Sequence, residues 1–312
     1  MLIYSCMFSG FADMTDVKAS KKVQYPATGL LLTGKRKKKE EYVMNAKIVH
    51  KRWLAGLTAA LVLLLLCSWG VDTQAKAAAK KMCLSRTRIT AYKEMKRTRL
   101  KVKNLKKGKK VKWSSGNPKV AVVDEKGVIT FLRTGNTIVT AKVGKKKFRC
   151  IVSVCSKKAY KAVEKAYKFY NARNMRYSQG SRMSRRAADC SSFCGRCYLP
   201  QGLTMGGSKS WCNTAAGMAK WATDHHKVVA NGSVKISSLK LLPGDLVFYR
   251  RGYNGRYKNI YHVEIFVGYG WKGDRMVGYT MSSITGHYPS ILKRDYASRQ
   301  SRIAEISRPT RK

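Results

Sequence analysis

The hydrophobic period changes once along the working part of this chain, and that change sets its architecture. Between residues 84 and 154 apolar side chains alternate with polar ones: Leu100 and Val102 between lysines, then Val111 and Trp113. Short apolar runs follow at Val120–Val123, Val128–Phe131, Ile138–Val143 and Phe148–Val154. Turn residues separate them, at Lys107-Gly108, Gly116-Asn117-Pro118, Lys126-Gly127, Gly135-Asn136 and Gly144. Short strands with closely spaced turns predict an all-β sandwich with a lysine-rich, solvated outer surface. From Ala159 to Ala172 the spacing turns helical, with Ala162, Val163, Ala166, Tyr167 and Tyr170 on one stripe. A second domain, 155–312, is therefore expected to be of mixed α and β composition.

The N-terminal part reads differently. Lys47, Lys51 and Arg52 precede an apolar run from Leu54 to Cys67, and small-residue sites follow at Thr73-Gln74-Ala75 and Ala75-Lys76-Ala77. A basic flank, a short apolar core and an A-x-A-like exit describe a secretory signal. The run falls short of the ~20 residues of a membrane span, so no stable span is expected after cleavage. Leu66 before Cys67 argues against lipidation. The signal is expected over 44–77, with Met44 as the start. Lys39-Glu40-Glu41 can be encoded by a purine-rich stretch resembling a bacterial ribosome-binding site, so 1–43 reads as upstream sequence translated in frame.

Charge narrows the partners. Lys and Arg number 64 against 16 Asp and Glu, a net +48. Such a chain attracts polyanions. No nucleic-acid motif accompanies the charge and the signal directs the chain outward, so anionic cell-wall polymers are the expected partners rather than nucleic acid. No glycine-rich phosphate or dinucleotide loop is present. Beyond the signal seven cysteines remain, an odd number that leaves at least one free thiol in a monomer. A bridge from Cys83 to Cys150 or Cys155 stays open.

Two segments of the second domain carry chemistry. In Ala188-Asp189-Cys190-Ser191-Ser192-Phe193-Cys194-Gly195-Arg196-Cys197, Asp189 and the serines suit a helix start, and Phe193, Cys194 and Cys197 form an apolar stripe behind it. Cys190 then sits in the first turn, where free N–H groups and the helix dipole favour a thiolate. The cysteine spacing also matches a radical iron–sulfur site, but Arg196 and the short remaining chain oppose that reading. Leu242-Pro243-Gly244-Asp245-Leu246-Val247-Phe248 reads as a turn entering a strand, and Tyr261–Gly268 as the next strand. There Val263, Ile265 and Val267 share one face, and His262, Glu264 and Phe266 the other. A histidine at a strand start can reach a cysteine at a helix tip and activate it. His225 and His226 read as surface residues at a helix end.

Two resemblances follow from these residues. The stretch from Val111 to Val154, with Trp113-Ser114-Ser115-Gly116-Asn117-Pro118 and Val123-Asp124-Glu125-Lys126-Gly127, resembles a bacterial Ig-like domain, which implies a spacer or an adhesive module over 84–154. Asp189-Cys190-Ser191, Leu242–Phe248 and His262-Val263 together resemble the NlpC-type family of cell-wall cysteine peptidases. That resemblance implies an α+β papain-like catalytic domain, an N-terminal helix packed on an antiparallel sheet, preceded by the all-β Ig-like sandwich. It implies cleavage of peptidoglycan stem peptides between D-glutamate and a diamino acid, with no metal or organic cofactor, in a secreted protein at a Gram-positive wall. Cys190 is the implied nucleophile and His262 its base, with Tyr177, and Asp189 and Ser191 beside the nucleophile, implied at the oxyanion or substrate. The family's third polar residue falls near Gly278 or Tyr279, so Tyr279, or His287 from the following loop, is expected to orient His262. An amidase acting between sugar and peptide, or a non-reacting wall-binding protein, are the rival readings.

Overall fold

A computed structural model describes residues 81–312. The expected upstream segment 1–43 and signal 44–77 lie outside the described residues.

The period-two region forms two facing sheets. The first has the order β2 (Arg88–Ala91), β9 (Lys146–Val154), β8 (Gly135–Val143), β5 (Lys112–Ser115), with β2 and β9 parallel. The second is β3 (Thr98–Arg99), β7 (Val128–Phe131), β6 (Ala121–Val123), and a small pair joins β1 (Cys83–Leu84) to β4 (Val102–Lys103). The inward residues Leu100, Ile129, Val139, Ala141, Val152 and Val154 close the core. The β6–β7 turn is fixed by Asp124, whose Oδ1 accepts from the backbone of Lys126 at 2.9 Å and Val128 at 2.8 Å. Gly127 has φ +74°, and a Cβ there would lie 2.4 Å from the Leu100 carbonyl oxygen, so glycine is required on both counts.

The second region begins with α1 (Lys157–Ala172), two residues earlier than its apolar stripe predicts, because Ser156 caps it by accepting from the Ala159 N–H. Next come a parallel pair, β10 (Arg176–Tyr177) and β11 (Ala187–Ala188), then α2 (Cys190–Tyr198) and α3 (Ala215–Asp224). The remaining strands are β12 (Val228–Asn231), β13 (Leu246–Arg250), β14 (Ile260–Lys272), β15 (Arg275–Ser283), β16 (Ile291–Asp295) and β17 (Ile303–Ser307). They form one antiparallel sheet in the order β12-β17-β13-β14-β15-β16. Phe193, Cys194 and Cys197 of α2 pack on one face, against Leu246, Phe248, Val263 and Ile265. This is the papain-like α+β fold. Gly244, at φ +99°, lets the β13 turn approach α1, since a Cβ would lie 2.7 Å from Ala159 Cβ.

The opposite face of this sheet carries Val247, Tyr249, Phe266, Tyr269 and Ile306. Ile151 of β9 is buried in that same cluster, with Ile138 of β8 packed against it. Asn136 donates from Nδ2 to the carbonyls of Leu239 and Leu241 at 2.6 and 2.7 Å, and the Arg149 guanidinium lies 4.5 Å from the Trp271 ring. The sandwich is thus seated on the second domain, and its outer surface is not solvated throughout as the alternation predicts.

Candidate active site

Asp189 is the N-cap of α2 and makes a reciprocal capping box. Its Oδ1 accepts from the Ser192 N–H at 2.7 Å, while Ser192 Oγ accepts from the Asp189 N–H at 3.0 Å. Ser191 Oγ donates to Asp189 Oδ1 at 3.2 Å and accepts from Arg182 at 2.6 Å, and Arg182 Nε lies 3.1 Å from Asp189 Oδ2. Both side chains expected at the oxyanion or substrate are therefore engaged in holding the helix start. Their contribution is to fix Cys190, the first helical residue, and to leave the first-turn N–H groups of Cys190 and Ser191 as donors.

His262, near the start of β14, is 7% exposed and lies against the Cys190 thiol. Its Nε2 is 3.1 Å from Glu264 Oε1, which leaves Nδ1 for the sulfur. Burial alone would lower the imidazole pKa. Hydrogen bonding to Cys190 and Glu264, with the charges of both, outweighs burial and holds it up to about 9. Glu264 is 1% exposed. Its carboxylate accepts from the Tyr249 hydroxyl at 3.2 Å and from the hydroxyl of Thr280 and the guanidinium of Arg299. Burial pushes this acid up, but His262, Arg299 and Thr280 together bring it down to about 2. A carboxylate, an imidazolium and a thiol thus stand in contact in a nearly dry site, the arrangement that activates a nucleophile through an oriented base.

Glu264, and not the expected Tyr279 or His287, is the residue hydrogen-bonded to His262. Thr280 is the β15 residue that faces Glu264, so Tyr279, its neighbour, is on the other side of the strand. Tyr279 packs with the helix-side core, and Lys293 Nζ lies 4.1 Å from its ring centre. His287 is exposed in the turn between β15 and β16. Glu264 carried a legible signal, since it is two residues from His262 on the same strand face. Arg299, in the 3-10 turn 296–302, carried none.

Tyr177 pairs with Ala188 in the β10–β11 register, two residues before the nucleophile. Burial raises its phenol pKa, and the charge of Cys190 adds to this. His225 ends α3, exposed, stacked on Trp221 at 4.6 Å. All seven cysteines among the described residues are free, so the Cys83 bridge does not form. Burial pushes the Cys150 and Cys155 thiols up to about 12 and that of Cys212 to about 11, and Cys194 and Cys197 upward as well. Among the described residues no group of three or more His, Cys, Asp or Glu could hold a metal ion, and no helix is long and apolar enough to cross a membrane.

A thiol at a capped helix start, facing a histidine on an antiparallel sheet, places this domain in the papain-like cysteine class. The model of the NlpC/P60 family matches residues 174–290, and that of the bacterial Ig-like domain matches 109–156. The chain carries an NlpC/P60 domain behind a bacterial Ig-like domain. No curated protein matches it. Among solved structures it is similar to NlpC1 from Trichomonas vaginalis, at 13% identity and TM-score 0.33, covering 67% of this chain and 70% of that one. It is also similar to the NlpC/p60 domain of the peptidoglycan hydrolase SagA, at 20% identity and TM-score 0.31, covering 48% of this chain and 97% of that one. Domains 4 and 5 of the S-layer protein SbsC are similar at 19% identity and TM-score 0.20, covering 25% of this chain, which spans about half (52%) of that fragment.

Proposed function

We propose that this protein is a secreted, cell-wall-associated thiol hydrolase that cleaves stem-peptide amide bonds of peptidoglycan, between D-glutamate and the diamino acid. The observation that carries the reading is the contact of His262 with both Cys190 and Glu264 in a buried site. The match of residues 174–290 to the NlpC/P60 family model supports the hydrolase class. The Cys190 thiolate attacks the amide carbonyl carbon. The first-turn N–H groups, with Tyr177, stabilise the oxyanion. Imidazolium His262 gives its proton to the departing amine as the C–N bond breaks, leaving a thioester. Water, deprotonated by His262, then releases the acyl group and restores the thiol. Glu264 holds the imidazole in place throughout. Residues 78–312 hold 52 Lys and Arg against 11 Asp and Glu, a net +41, which supports attraction of the Ig-like domain and the basic surface to anionic wall polymers.

The presence of Glu264 at His262 favours a reacting site over a non-reacting wall binder. Digestion of purified wall, with identification of the released fragments, tests the proposal. New amino ends on the diamino acid are expected. Free lactyl groups would make the protein an amidase, and no release would make it a binder.

A further inference from the structure

Four groups in this site carry charge when it is active. In the thiol-hydrolase reading Cys190 attacks as the anion beside the Glu264 carboxylate, and His262 and Arg299 are the cations. Glu264 is 1% exposed and its side chain meets Arg299 on one oxygen, the oxygen that also meets His262. Arg299 is held in turn by the Tyr249 ring, 4.6 Å from the guanidinium carbon, and Tyr249 donates its hydroxyl to the other Glu264 oxygen. The Tyr249 and His262 rings are 5.7 Å apart. So one aromatic side chain fixes the arginine, the carboxylate and the imidazole relative to each other.

The groups facing this cluster come from every neighbouring element: Cys190 from α2, Tyr177 from β10, Tyr249 from β13, Tyr261 on β14 and Thr280 from β15. Asp189 is paired with Arg182. None of the rest supplies a second cation. Without Arg299 the imidazolium would have to balance two anions in a low-dielectric site, where each uncompensated charge acts strongly.

We propose that Arg299 is a positioning residue of the thiol-hydrolase site, neutralising Glu264 so that the positive charge of His262 is left to stabilise the Cys190 thiolate. Arg299 acts through Glu264 and does not touch substrate. The proposal rests on the thiol-hydrolase reading, and its signature is a change in the pH at which the nucleophile forms.

Iodoacetamide labelling of Cys190 across pH, read by peptide mass spectrometry, measures that pH without any wall substrate. The exposed Cys83 in the same chain is the reference; Cys190 is 7% exposed, and the remaining described cysteines are at most 3% exposed. Arg299→Gln is expected to move the labelling midpoint of Cys190 up by about one pH unit, an order set by the loss of a nearby compensating charge. Cys83 labelling stays unchanged. Arg299→Lys keeps the charge and is expected to restore the midpoint. Arg299→Gln combined with Glu264→Gln removes both charges of the pair and is expected to return the midpoint most of the way. A folded Arg299→Gln protein whose profile superposes on the parent overturns the proposal. If that variant does not fold, the Lys and double variants decide, and a double variant whose midpoint stays raised overturns it. His262→Ala tests the underlying site separately: a Cys190 profile indifferent to His262 would defeat the thiol-hydrolase reading itself.

Discussion

His262 and Glu264 stand two residues apart on one strand, with Nε2 and Oε1 at 3.1 Å, so a single stretch of β14 supplies both the proposed base and the carboxylate bonded to it. Side chains two apart on a strand project to the same face. The hydrogen bond between the two is therefore set by the strand itself. The expected partner from the next strand is replaced by Thr280, which serves the carboxylate instead.

Replacing Glu264 by Gln keeps the shape and removes the charge that holds the imidazolium. The turnover number for wall-peptide release should fall by about 10²-fold or more, with little change in KM, because positioning of a base is expressed in the transition state. Thermal melting of the same variant should show a loss of stability, since Arg299 is left beside a neutral amide.

Stability should depend on pH through the same two groups. Glu264 has a folded value of about 2 against an ordinary 4.5, so its contribution is complete above 4.5 and is lost as pH falls towards 2. His262 has a folded value of about 9 against 6.5, so its contribution is complete below 6.5 and is lost as pH rises through 9. Both are complete between 4.5 and 6.5. Denaturant titrations across pH should find the midpoint highest in that window, and Glu264→Gln should flatten the acid side.

The seat of the sandwich on the second domain is also open to test. Asn136→Ala would leave the buried Leu241 carbonyl and its neighbour at Leu239 without their donor. A loss of about 1–3 kcal/mol is expected in urea unfolding, with one transition for both parts. Two separated transitions in the parent protein would contradict a joint core built around Ile151.

Much of this was readable from residue order. Alternation marks the strands of the sandwich, and the Asp189-Cys190-Ser191 run and His262 mark the two halves of the site. Glu264 was in view on the right face, but periodicity cannot say which polar neighbour a histidine will bond. Arg299 lies 35 residues beyond Glu264 and reaches it only through the folding of a 3-10 turn after β16. The contact of the sandwich with the catalytic sheet was hidden for a related reason. Alternation tells which side chains leave a strand, not whether another element covers them. The run Ile151-Val152-Ser153-Val154, buried on both faces, was the local trace of that cover.

In the proposed reaction the Cys190 sulfur performs the cleavage with His262 as its base. The most direct measurement is the rate of new amino-end formation from purified wall by the parent protein and by folded Cys190→Ala and His262→Ala variants. Release by the parent and none above background by either variant is the predicted result. Release by the Cys190→Ala protein at a rate near the parent's would contradict the account.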